Sequence, residues 1–250
     1  IGKAGPYLLG AIPGISVHLI VGLSSASAVM AALLVWFGYR DGPHAFPSRP
    51  FAWTLVRDVV REPRWRLSTG GYLGHMAELY SYWTWIPAFV AASIAASPHD
   101  LTPAPSRVAS IIGFAIIAVG GAGCVWGGAV ADRIGRPRLV IIALSVSTVC
   151  CALVGLAFGR SLWLLTPVAL VWGFFIIADS AQFSVLVTES VPPHAVGTAL
   201  TLQTSLGFLL TTISIQLVPP VVRTVGWPWA FAFLAIGPAL GILSIRRLER

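Results

Sequence analysis

Apolar runs of bilayer length, separated by short polar turns, fill most of this chain. Complete spans read at about 16–38, 70–95, 107–130, 139–158, 161–187, 196–219 and 228–245, each close to the roughly 20 residues that cover a bilayer's hydrocarbon core. Backbone in that core has no water to bond, so the runs are predicted to be helices and the fold class all-α membrane protein. The first apolar stretch, 4–38, is too long for one helix and too short for two. Pro13-Gly14 punctuates it, which predicts the end of a partial helix and then a complete span over 16–38. The chain opens on Ile1 and is expected to lack helices that precede this point in a longer bundle. Only one connection is long: residues 40–68, rich in Arg and Pro. Within it, FAWTLVRDVVRE (51–62) is amphipathic and suited to lying on the membrane surface.

Charge places these spans relative to the two membrane faces. Only 10% of the residues are charged, against about 25% in soluble domains. The net charge of +7 is not gathered into one patch, so it reads as topology and excludes a nucleic-acid footprint. Segment 40–66 holds six arginines, the 133–138 turn three and the tail three more, whereas Arg107, Arg160 and Arg223 stand alone in the opposite loops. The linker, the 132–138 turn and the C-terminus are therefore expected on the cytoplasmic side. Arginine outnumbers lysine 15 to 1 and alanine is abundant, a composition that suits a GC-rich bacterium and its inner membrane. Cys124, Cys150 and Cys151 have no ligand spacing and read as small packing residues. No cofactor loop or metal site is legible.

Between 107–130 and 139–158 the chain reads GAVADRIGRPR (128–138). Gly128, Asp132, Arg133, Gly135 and Arg136 fall on the positions of G-x-x-x-D-R-x-G-R, and on them the chain resembles the major facilitator superfamily of secondary transporters. A turn that only kept positive charge inside would need the arginines but not the glycines and the aspartate. The resemblance implies two six-helix bundles joined by a long cytoplasmic loop, each built of inverted three-helix repeats. Residues 1–39 would then be the end of the first bundle, with a partial fifth and a complete sixth helix. Residues 40–68 would be the cytoplasmic linker, and 69–250 the second bundle with a short tail. The motif turn would join the eighth and ninth helices. There Asp132 and the arginines would act as a conformational latch while the pore is closed on the cytoplasmic side. The stretch GKAGPYLLG (2–10) partly matches the glycine-proline motif of the superfamily's drug–proton antiporters.

Ionisable side chains in a span cost about 2.5–3.5 kcal/mol each at the centre and usually face a cavity. In GYLGHMAELYSYWTW (71–85), helical spacing puts His75, Glu78 and Tyr82 on one face. In WGFFIIADSAQFSVLVTE (172–189), Asp179 lies deep in the span with Gln182 and Phe183 a turn further on. With no Lys or Arg nearby, Asp179 must carry a proton or pair with another helix. Lys3 sits at the truncated helix, and Gln203 is the best solute contact on the hydroxyl-rich 196–219 span. Together these residues form the expected solute and proton pathway. The function that follows is a proton-coupled secondary transporter of a small solute, whose partners are solute, protons and lipid. A drug/proton antiporter and a non-transporting sensor are the alternatives. An intramembrane serine protease is disfavoured, since GLSSAS (22–27) lacks the second glycine of GxSG.

Overall fold

A computed structural model describes residues 4–40, 42, 52–97 and 104–250. Its helices are α1 (Gly5–Gly10), α2 (Val17–Gly38), α3 (Trp53–Arg61), α4 (Pro63–Ala96), α5 (Pro105–Ile134), α6 (Arg136–Leu153), α7 (Leu162–Ala178), α8 (Ser180–Thr188), α9 (Val196–Val225) and α10 (Ile236–Leu248). No strand occurs among the described residues. Six helical segments are long and apolar enough to cross a membrane: Val17–Gly38, Pro105–Ile134, Arg136–Ala157, Leu162–Thr188, Pro193–Val225 and Trp227–Leu248. The protein is thus a multi-pass, all-α membrane protein.

The 70–95 span differs from its expectation. Its helix α4 begins at Pro63, where Glu62 caps it by accepting the Arg64 N–H at 3.3 Å, and it runs for 34 residues. It is less apolar than the other spans because it is the hub of the bundle, in contact with α5, α7, α8, α9 and α10. Its polar side chains therefore meet protein rather than lipid.

Close helix contact depends on glycine. A Cβ at Gly74 of α4 would run into the Gly237 carbonyl of α10, and one at Gly127 of α5 into the Ala178 carbonyl of α7. Small residues at such positions let backbones approach and dispersion contacts accumulate. Gly128, one position on, faces open space. Gly127→Leu is therefore expected to lower the melting temperature sharply and Gly128→Leu to leave it nearly unchanged. Equal melting curves in detergent would refute this packing.

Two expectations need correction. The complete 16–38 span, read as the last helix of the first bundle and expected to pack beside the 70–245 helices, instead has its main contact, as α2, with α1 and buries no residue. It is apolar on every side, so its own periodicity selects no face for protein. The amphipathic 51–62 segment does form a helix, but α3 packs on α4 and α9. Val59 sits in a cluster with Trp65, Val187, Ala195 and Ala199, while Trp53 is exposed. Protein thus covers part of the face that membrane was expected to cover.

Candidate functional site

The expected span over 161–187 is found as one helical segment, Leu162–Thr188, with a single irregular turn at Asp179, whose backbone stays right-handed between α7 and α8. The site lies at this turn. Asp179 is 1% exposed, and its Oδ1 stands 3.1 Å from Nδ1 of His75 on α4, itself 2% exposed. The approach lies off the line of an ideal hydrogen bond, since Oδ1 has no hydrogen-bond partner. The other ring nitrogen of His75, Nε2, is 3.1 Å from the Ser180 hydroxyl. Asp179 thus faces a titratable partner on another helix. Tyr72 stacks beside the imidazole with centroids 6.3 Å apart, and Phe183 of α8 lies 5.2 Å from it.

Glu78 lies one turn along α4 and is fully buried. Its Oε1 accepts the Ser147 hydroxyl of α6 and the Trp172 indole N–H of α7, each at 2.6 Å. Its Oε2 is buried without a hydrogen-bond partner among the described residues. Tyr82, expected to share this face, is buried too, but its hydroxyl donates to the Ala169 carbonyl at 2.7 Å. Both donors to Glu78 thus come from other helices, while Tyr82 bonds backbone. Gln182 is 5% exposed on α8. Gln203 is 2% exposed with its Nε2 unpartnered, so it is enclosed and does not line an open surface. Most hydroxyls near it bond their own helix, as with Thr201 to Gly197 and Thr211 to Phe208. Lys3 lies outside the described residues.

The motif turn forms a second, polar cluster. Gly135 joins α5 to α6 with φ at +91°, a conformation that costs other residues energy, and Pro137 starts α6 in its first turn. This tight corner brings Arg136 Nη2 to 4.0 Å from Asp132 and Nη1 to 3.6 Å from Glu189 at the end of α8. Arg133 is exposed and forms no ion pair among the described residues. Sequence reasoning did not single out Glu189, Ser147 or Trp172. For Glu189 a signal existed: an acid ending an apolar span beside a loop with no Lys or Arg.

Among the described residues, no group of three or more His, Cys, Asp and Glu could hold a metal ion. Residues 4–215 match the family model of the Major Facilitator Superfamily. No curated protein matches the chain.

Proposed function

This chain belongs to the Major Facilitator Superfamily, and from that premise we propose that it is a proton-coupled transporter working by alternating access. Membership makes it a secondary transporter and not an enzyme. Coupling to protons is the finer reading. The observation that carries it is a pair of buried carboxylates in one bundle, Asp179 against the imidazole of His75 and Glu78 one turn along α4 from that histidine. An unpaired buried charge is expensive. One imidazolium can offset only one carboxylate, so the cluster is cheapest with a proton on the second acid. Such a proton can leave when the cavity opens to water and return when it closes.

The irregular turn at Asp179 would give this chemistry a mechanical output. Asp179 stands at the head of α8, and Glu189, directly after its last turn, holds Arg136. A tilt of α8 about Asp179 would therefore loosen the cluster at one end and the latch of Asp132, Arg133, Gly135 and Arg136 at the other. In this reading two bundles rock around a midplane site, with the latch and C-terminus on the cytoplasmic face of a bacterial inner membrane. The test is solute accumulation in vesicles with and without an imposed pH gradient. Asp179→Asn, which mimics the protonated acid, is expected to keep solute exchange and lose gradient-driven accumulation. Accumulation equal to that of the unmodified protein would make Asp179 a packing residue.

A further inference from the structure

Pro87 lies inside α4. Proline has no N–H, so the carbonyl four residues before it, that of Trp83, lacks the donor that a helix would otherwise supply. The donor comes from another helix instead. The Tyr7 hydroxyl of α1 donates to the Trp83 carbonyl at 2.9 Å, across 76 residues of chain. A carbonyl left without a partner away from water is costly, so the proline gives α4 one backbone position that needs an outside donor whenever it is closed off from water.

The shape of the neighbouring helix fits this contact. Gly113 of α5 stands beside it, where a Cβ would lie 3.2 Å from the Pro87 ring and 3.9 Å from the Tyr7 ring. The absent side chain leaves the notch in which the two rings meet. One turn along each helix, a Cβ on Gly10 of α1 would lie 3.6 Å from the Ser110 hydroxyl of α5. Ala4 and Ala11, in helical register with Tyr7, are buried as well. This notch is near the start of α5, roughly 28 Å along that helix from Asp132 of the motif turn.

Release of this bond differs from release of an ordinary helix contact. If α1 moves away, water enters the crevice and can bond the Trp83 carbonyl in place of Tyr7. Closure expels that water, and the tyrosine must then replace it. We infer that Tyr7 and the carbonyl freed by Pro87 form a reversible clasp, which closes the crevice between α1 and the second bundle on the side away from the motif turn. This rests on the reading of α1 as the end of a first bundle and on alternating access, but not on proton coupling. Clasp and latch stand at opposite ends of α5, so one can release while the other holds.

Gly10→Cys with Ser110→Cys, in the full-length protein carrying Cys124→Ser to remove the exposed native thiol, reports closure of the crevice without any solute. Disulfide formation under copper–phenanthroline is timed in membrane vesicles. A protease site inserted within residues 43–48 makes the bridge visible, because only bridged halves stay together on a non-reducing gel. Rapid bridging is expected, and Tyr7→Phe should slow it about threefold to tenfold, as loss of one hydrogen bond shifts an equilibrium. Pro87→Ala returns an N–H to the Trp83 carbonyl, so on that background Tyr7→Phe should change the rate less than about twofold. A tyrosine that merely packs would have the same effect with either residue at 87. If the cysteine pair fails to fold, Ser110→Cys alone is labelled with a charged maleimide, and Tyr7→Phe should speed labelling by a similar factor. A rate unchanged by Tyr7→Phe, or an equal effect with proline and alanine at 87, would overturn the clasp. Gradient-driven accumulation that survives Asp179→Asn would reject proton coupling and leave the clasp standing. Rates that ignore Tyr7 in a protein that needs Asp179 would do the reverse.

Discussion

Glu78→Leu is expected to give protein that folds poorly and transports nothing, whereas Glu78→Gln is expected to fold. Two buried donors, the Trp172 indole N–H and the Ser147 hydroxyl, converge on Oε1 of Glu78 at 2.6 Å. Leucine would leave both without an acceptor, at about 1–3 kcal/mol each. A loss of several kcal/mol is a large fraction of the stability of an ordinary domain. Glutamine keeps an amide oxygen where Oε1 stands, so both donors stay satisfied. What glutamine removes is the exchangeable proton, so exchange of solute should persist and gradient-driven accumulation should fall. Thermal unfolding in detergent separates the two effects. A leucine variant that melts with the unmodified protein would mean that this buried acceptor contributes nothing to the fold.

Much of the architecture could be read from spacing alone, because lipid forces apolar runs into helices and charge into their ends. The starts and irregular turns were harder. Arg64 and Arg66 made the first turns of α4 look like linker, although Glu62-Pro63 is a cap followed by the residue best suited to a first turn. The irregular turn at Asp179 has no glycine or proline to mark it, only an aspartate whose short side chain can find partners off the helix. Adjacent Gly127 and Gly128 cannot be ranked by sequence, since which one meets α7 depends on the rotation of α5. In the site, the face shared by His75, Glu78 and Tyr82 was legible as helical spacing. Its partners were not. Ser147 and Trp172 lie 69 and 94 residues from Glu78, in spans read as ordinary apolar helices. A pairing across helices is a tertiary fact that periodicity does not encode.

Arg136→Ala is expected to slow transport several-fold while leaving the melting temperature almost unchanged. Among the described residues, Arg136 is the one arginine of the motif turn that reaches two acids, Asp132 at 4.0 Å and Glu189 at 3.6 Å. All three side chains are at least 34% exposed, and ion pairs of that kind contribute only about 0.2–1 kcal/mol each to stability. That is too little to hold a fold together, but it is enough to move a balance between two conformations by roughly fivefold. Loss of the latch should therefore appear in rate and not in stability. Glu189→Ala should repeat the effect, because it frees α8 from the corner that Gly135 builds. Asp132→Ala should act in the same direction through the longer of the two contacts. Arg133→Ala, at an exposed position with no ion pair among the described residues, should do least, although the motif alone would rank it equal to Arg136. Combining Arg136→Glu with Glu189→Arg should restore part of the rate by rebuilding the pair with its charges exchanged. Initial rates in proteoliposomes read all of these variants on one scale. Normal rates in both Arg136→Ala and Glu189→Ala would reject the latch and leave the arginines of this turn as determinants of orientation alone.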